Sequence, residues 1–290
     1  MRAVAERQLS LFGRTVPRSQ FLKWVGSKHR HARQIVELMP DSHNRYIEPF
    51  LGSGAVLAAV APRHGLAGDA LAPLIEIWLL LKNSPDVLLS HYSAAWREYV
   101  FDPKGVYESV RVRYNGNPNG GDLLFLCRAC YGGVVRFTRS GTMSTPVGAH
   151  RAISPEVLAE RMAIWRERIL GTEFVRADFE ETMAQAHEND VVYCDPPYVF
   201  SQSILYGSQD FLHERLWRAV AQCKARGAKV LLSLDGMKKS GTVSTVIEIP
   251  EGLFQREVMV DCGGSMVRRF QKRGEDMSGE WVYDRLLLTW

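Results

Sequence analysis

The sequence has no apolar run long enough to span a bilayer. Its most apolar window, "ALAPLIEIWLLL", is short and contains Glu76. The opening "MRAVAERQLSLFG" has no continuous apolar core, which argues against a secretory leader. Cysteine is scarce. There are five, an odd number without paired spacing, so a disulfide framework is excluded and reduced cytosolic thiols fit. Cys127 and Cys130 form one CxxC with no second pair to complete a zinc site. They read as two small buried side chains on a helix, and no metal is expected. Acids are missing from Leu123 to Pro155, a stretch that holds Arg128, Arg136, Arg139 and Arg151. Residues 1–33 carry eight basic residues against Glu6, a balance of +7 that leaves −3 for the remainder of a chain with net charge +4. Such patches on a near-neutral protein suggest a polyanion bound to one face. Arginines that only solubilise a surface are the alternative.

What is present is an alternation of strands and helices. Residues 1–20 read as a flexible basic leader. A helix is expected around Arg30 to Leu38, ended by Pro40. "RYIEPF" reads as a strand, "LGSGAVLAAVA" as a Gly-rich turn opening a helix, "GLAGDA" as a strand and "PLIEIWLLLKN" as a helix. Between residues 84 and 171 the composition shifts toward aromatics, Arg, Gly and Asn. There "NGNPNGG" marks a turn and "GDLLFLCRACYGG" a helix, while "VVRFTRSGTMSTPVG" predicts a β-hairpin about Ser140-Gly141. Ser154 and Pro155 predict the N-cap and first turn of the helix that follows. "TEFVRADF" and "DVVYC" are strands, and "LHERLWRAVAQCKARG" is a helix ending at Gly227. "AKVLLSLD", "FQREVMVD" and "VYDRLLLTW" are the last strands. Apolar strands separated by helices predict an α/β fold with a largely parallel, Rossmann-like sheet covered on both faces. The expected organisation is a core of residues 21–83 and 172–290 with residues 84–171 inserted.

Two motifs carry chemistry. In "EPFLGSGAVL", a strand runs into Gly52-x-Gly54 and a helix, a turn that lets backbone approach a ligand. Leu57 stands where a dinucleotide fingerprint has its third glycine, which disfavours a nicotinamide-dependent oxidoreductase. Asp69, at the end of the next strand, is placed to meet ribose hydroxyls; a helix cap is the alternative. The second motif is Asp195-Pro196-Pro197-Tyr198, closing an apolar strand. An exocyclic amine on adenine or cytosine is a weak nucleophile, because its lone pair is delocalised into the ring. The Asp195 carboxylate and the Pro196 carbonyl offer two acceptors for its two hydrogens. Pro197 stiffens the loop and Tyr198 supplies a ring for stacking. A base must leave the duplex to reach such a pocket. A plain Pro-Pro turn ending a strand is the bland alternative. In "FLKWVGSK", Trp24 can cover an aromatic ligand and Lys28 can pair with a carboxylate, although alone this stretch reads as a basic amphipathic start.

"FLKWVGSK", "YIEPFLGSGAVL", Asp69, "GGVVRFTRSGTMSTPVG", "VVYCDPPY" and "YDRLLL" stand in the order found in Dam-type, D12-class DNA adenine methyltransferases. The chain resembles that family over about residues 21–290. The resemblance implies S-adenosylmethionine as methyl donor, a methyltransferase sheet and a target-recognition insert. Trp24, Lys28, Asp69 and Asp195 would bind the donor, with Phe50, Gly52 and Gly54 around its methionine and ribose. Asp178 and Phe179 would hold its adenine. Asp195, Pro196, Pro197 and Tyr198 would form the catalytic loop. Arg136 would read a base, beside Tyr131 and Phe137, and Lys23, Arg128 and Arg139 would also meet double-stranded DNA. The expected setting is the cytoplasm of a bacterium, or of one hosting a phage, with no membrane partner. Gly132 replaces an intercalating asparagine of the GATC-reading pattern, so GATC recognition is not expected. Arg285 stands where the family often has an acid.

The motifs alone leave cytosine N4 methylation open. They also leave open a DNA-binding protein that keeps the fold without catalysis, against which an intact Asp195 and Gly-rich turn argue. In the leader, Gln8, Leu9, Ser10, Leu11 and Phe12 resemble the pentapeptide by which bacterial replication and repair proteins dock on the sliding clamp. Leu9, Leu11 and Phe12 would fill an apolar groove and Gln8 would make a polar anchor. A segment tucked on the domain's own surface is the alternative.

Overall fold

A computed structural model describes residues 16–138, 140–197, 213–238, 248–264 and 281–290. Among these, seven strands form one sheet: β1 (Tyr46–Glu48), β2 (Gly65–Asp69), β3 (Thr172–Arg176), β4 (Val191–Cys194), β5 (Lys229–Lys238), β6 (Arg256–Gly264) and β7 (Trp281–Leu288). Their order is β3-β2-β1-β4-β5-β7-β6. β1 to β5 pair in parallel, and β7 runs antiparallel to both β5 and β6. Strand order reverses between β1 and β4, the place where open α/β sheets bind ligands at the C-terminal strand ends.

The central strands are buried on both faces, which explains their unbroken apolar runs. Side chains alternate between two cores. Ile47, Leu66, Val192, Cys194, Val230 and Leu232 pack on one face with Leu216 and Val220. Tyr46, Ala67, Tyr193, Leu231, Leu286 and Leu288 face the other, with Phe21, Leu22 and Trp78. That second core continues without a break into the helices between β2 and β3.

Among the described residues, the helices before β3 begin with α1 (Ala32–Glu37), α2 (Ala55–Val60), α3 (Ala72–Asn83), α4 (Pro85–Tyr99), α5 (Pro103–Gly116) and α6 (Gly120–Ala129). A 3-10 turn (Tyr131–Gly133) and α7 (Pro155–Ile169) complete this region. α8 (Phe179–Ala184) and α9 (His213–Ala225) follow β3 and β4. Residues 84–171 contribute no strand to the sheet among the described residues. Ser154 caps α7 as expected, its side chain accepting from the Val157 N–H. Asp102 and Asn119 cap α5 and α6 in the same way.

The expected hairpin about Ser140-Gly141 forms: the Gly141 N–H closes the turn on Thr138 O at 2.9 Å, Thr138 N–H meets Thr142 O at 2.8 Å and Ser144 N–H meets Arg136 O at 2.9 Å, with antiparallel bridges at Phe137–Met143 and Cys130–Val147. One further rung is made by a side chain. Thr145 Oγ1 accepts from the Arg136 N–H at 2.8 Å and donates to Val134 O at 2.8 Å. Arg285 also finds its explanation here. Its guanidinium meets Glu257 in a bidentate pair, 2.8 and 3.0 Å, diagonally across β7 and β6. No helix of the described residues is long and apolar enough to cross a membrane.

Candidate active site

The ends of β1, β2 and β4 meet residues 24–28 around a cavity of about 310 Å³. Its lining includes Trp24, Lys28, Phe50, Gly52, Asp69, Asp178, Phe179, Asp195 and Pro197, all singled out from sequence. Glu48, Tyr193 and Arg215 line it as well, and were not.

Lys28 is almost fully buried. Its ammonium lies 3.1 Å from Asp195 Oδ1 and 3.1 Å from Asp284 Oδ2. A buried ammonium is tolerated only with such partners. Both carboxylates arrive by strand alternation. Asp195 follows Tyr193 by two residues and Asp284 precedes Leu286 by two, so both point to the face where Phe21 and Trp24 pack. Arg285, one residue on, points the other way. Glu48 follows Tyr46 on the same face and accepts from the Tyr46 hydroxyl at 2.6 Å. Burial, helped by the negative charge of Asp195, pushes the Glu48 carboxyl up to about 8, against the pull of the Tyr46 hydroxyl and the Leu57 N–H.

The Gly-rich turn is built from left-handed glycines. Gly52 has φ 47° and its N–H donates to Asp69 Oδ2 at 3.1 Å. Asp69 Oδ1 accepts from the Leu71 N–H at 3.0 Å. Burial raises the Asp69 pKa, and these N–H groups oppose the rise. Trp24 closes over the turn, so a Cβ on Gly52 would come within 3.3 Å of its ring. Gly54 corrects an expectation, because it does not line the cavity. It has φ 60° and sits beneath Trp78, where a Cβ would come within 2.7 Å of the indole. Its role is to let α3 pack on the turn.

Phe50 and Phe179 stack at 5.1 Å, and the Arg215 guanidinium lies 5.0 Å from the Phe179 ring centre. Arg215 also binds Asp178 Oδ1 at 2.8 Å and Glu180 Oε2 at 2.7 Å. Asp178 caps α8 through the Glu180 N–H. Pro196 is buried behind the loop, and Tyr198 lies outside the described residues.

The residues expected to meet DNA divide. Tyr131 and Arg136 are exposed, and the Lys23 stem lies against Gly133, where a Cβ would come within 2.9 Å of it. Arg128 corrects the expectation. It is buried and donates to Gln20 O and Phe21 O at 3.2 and 3.3 Å. Burial, with Arg161 nearby, lowers its guanidinium to about 10. Phe137 is also internal, packed 6.4 Å from Tyr114. Arg139 lies outside the described residues.

The Glu48 shift has a consequence for stability. Between its ordinary value of 4.5 and about 8, the folded protein holds a proton that the unfolded chain releases. This contribution is complete below the unfolded pKa and is lost as pH rises through the folded one. In urea unfolding, the stability of wild type relative to Glu48→Gln should fall steadily from about pH 5 to pH 8. A difference independent of pH would contradict the assignment.

With this geometry in hand, similar proteins can be placed beside it. A family model described as D12 class N6 adenine-specific DNA methyltransferase matches residues 24–255. A Type II methyltransferase of Lactococcus lactis subsp. cremoris is 25% identical over 228 residues, covering 73% of this chain and 80% of the relative. A Type II methyltransferase of Methanocaldococcus jannaschii is 28% identical over 302 aligned positions, covering 93% and 98%. A DNA adenine methylase of Vibrio cholerae is 28% identical over 182 residues, covering 61% and 64%. The match decides for adenine N6 over cytosine N4, and for an enzyme over a pure DNA binder. The chain belongs to the D12 class of N6 adenine-specific DNA methyltransferases, which use S-adenosylmethionine.

Proposed function

We propose that this enzyme methylates adenine N6 within a short sequence of double-stranded DNA, on a base turned out of the helix, with Asp195 and the Pro196 carbonyl holding the amine. The observation that carries the reading is the position of Asp195. It stands at the C-terminal end of β4, in the cavity wall, fixed by a buried ammonium. S-adenosylmethionine supplies a methyl group on a sulfonium, and the C–S electron pair returns to sulfur as the methyl bonds to nitrogen.

The residues present suit that donor. Asp69 offers a carboxylate already oriented by two backbone N–H groups, suited to ribose hydroxyls. Trp24 covers the turn at Gly52, where a methionine chain can lie against backbone. Phe50 and Phe179 give an aromatic wall, and Asp178 an acceptor beside it. Asp195 then accepts one hydrogen of the amine and stabilises positive charge as it develops on nitrogen. Its carboxylate takes the proton that the methylated amine loses.

Tyr131, Arg136 and Lys23 support a DNA face on the target-recognition side. Tyr131 is an exposed ring on a turn of two left-handed glycines, Gly132 and Gly133. Arg136 is the exposed cation beside it, suited to a bidentate base contact. One experiment tests both assignments. Wild type, Asp195→Ala and Arg136→Ala are expressed in a host lacking DNA methylation, and the genomes are sequenced with modified-base detection. N6-methyladenine is expected in one short context for wild type, none for Asp195→Ala, and a relaxed context for Arg136→Ala. Retained methylation in Asp195→Ala would overturn the role of that carboxylate. A uniform loss with Arg136→Ala would make Arg136 a phosphate contact.

The leader supports a second reading, in which Gln8 to Phe12 dock on a sliding clamp. That pentapeptide lies outside the described residues, but the chain just after it is firmly held. Pro17 O is 2.7 Å from His29 Nε2, Trp165 donates to Ser19 O at 2.8 Å, and Arg161 donates to Gln20 O at 2.9 Å. A docked leader would thus tether the enzyme through a fixed point. Pull-down on immobilised clamp should retain wild type and lose Leu11→Ala/Phe12→Ala; equal retention sinks the idea.

A further inference from the structure

The hairpin that carries Arg136 has one irregular rung, and it falls on Arg136 itself. Phe137 and Met143 face each other. Residues 136 and 144 are the next pair along, and in a regular ladder they would exchange two bonds. The Ser144 N–H does donate to Arg136 O, at 2.9 Å. The Arg136 N–H turns instead to Thr145 Oγ1 at 2.8 Å, and that hydroxyl donates to Val134 O at 2.8 Å. One side chain thus grips the backbone on both sides of Val135.

The return strand is held from behind by one helix. Tyr107, Arg111 and Asn115 of α5 recur every four residues and so share a stripe. The Tyr107 hydroxyl donates to Thr145 O at 2.7 Å, Arg111 to Ser144 O at 3.3 Å and Asn115 Nδ2 to Met143 O at 3.0 Å. The Met143 N–H donates in turn to Asn115 Oδ1 at 2.8 Å. The helix therefore stands where a third strand would, and takes the Ser144 carbonyl that the displaced rung leaves over. Alternation sorts the side chains. Val135, Phe137, Met143 and Thr145 are buried, whereas Arg136, Thr138, Thr142 and Ser144 are exposed. A hydroxyl buried among apolar neighbours opposes folding unless it is bonded, and both bonds of this one go to the backbone around Arg136. Valine would fill the same space and offer the Arg136 N–H nothing.

We propose that Thr145 is a specificity-determining positioning residue, which with Tyr107 fixes the backbone of Arg136 so that its guanidinium meets one base pair in register. The inference rests on Arg136 reading a base, as proposed above. A bidentate contact discriminates only when both N–H groups reach their acceptors in line, so a small rotation of the strand removes it. An arginine on a loosely held strand would still be drawn to phosphate, which carries no sequence information.

A residue that only stabilised the hairpin would lower turnover on every duplex alike. Methyl transfer is therefore followed as kcat/KM on synthetic duplexes bearing the context found for wild type, and on duplexes with one base pair changed. Arg136→Ala should cut the ratio between the two by roughly tenfold or more. Thr145→Val should cut it in the same direction, with the KM for S-adenosylmethionine unchanged. Thr145→Ser keeps the hydroxyl and should restore the ratio. Thr145→Val added to Arg136→Ala should change the ratio no further, because the residue being aimed is gone. Tyr107→Phe removes one hydroxyl and leaves its ring in the core. Its ratio should fall by a smaller factor, and it decides the matter where Thr145→Val does not fold. An unchanged ratio in Thr145→Val, or in Tyr107→Phe where that variant stands in, overturns the proposal. So does an equal fall on all duplexes, no restoration by Thr145→Ser, or a further loss of ratio in the double variant. An unchanged ratio in Arg136→Ala itself would instead overturn the base-reading role of Arg136. A shift there with none in Thr145→Val is the failure of the proposal alone.

Discussion

One buried ammonium organises this site. Lys28 sits beneath the sheet's C-terminal edge and binds carboxylates from two strands, Asp195 after β4 and Asp284 on β7. Taken out of water alone, any of these charges would cost several kcal/mol. Together they tie residues 24–28 to the middle and the antiparallel end of the sheet. The same bond orients Asp195 toward the cavity. Trp24, four residues before Lys28, is thereby laid over the Gly-rich turn at Gly52.

The sheet makes this possible through its period of two. Tyr46 and Glu48, Tyr193 and Asp195, Asp284 and Leu286 all project to one face. The other member of each pair enters the core; Glu48 ends β1, Asp195 follows β4, and Asp284, midway along β7, meets Asp195 at the Lys28 ammonium. The helices between β2 and β3 pack into that same core. The loop bearing Tyr131 and Arg136 is therefore mounted on the body that holds the cavity. Arg128 and Arg161 bind the chain at Gln20 and Phe21, just before the segment that carries Lys23, Trp24 and Lys28.

Much of this was legible in the sequence where local signals were strong. The apolar strands at Tyr46–Glu48, Gly65–Asp69 and Val191–Cys194 stand out by burial on both faces. Ser154-Pro155 announces α7. The Asp195 loop follows from chemistry, because an acid and two prolines have little reason to end a strand otherwise. What was illegible depended on long-range packing. α4 and α5 mix aromatics with charge and show no clean apolar stripe, so residues 84–116 gave no reading beyond their turn. Arg128 and Phe137 carry the residue types of a DNA contact, and only the fold shows that both point inward. The hairpin about Ser140-Gly141 was legible in its turn residues, but not that the Thr145 side chain would take the place of one rung. Glu48 and Asp284 were the costliest omissions. The signal was there: each is an acid in phase with buried neighbours of a central or near-central strand.

On the proposed mechanism, the shared ammonium of Lys28 makes Asp195 a competent acceptor for the amine. The most direct test is single-turnover methyl transfer to duplex DNA by Lys28→Met, a variant of similar length without the charge, shown to be folded by circular dichroism. A loss of roughly a hundredfold or more is expected, because the ammonium no longer stands between the Asp195 and Asp284 carboxylates. Turnover within about twofold of wild type by the folded variant would contradict it.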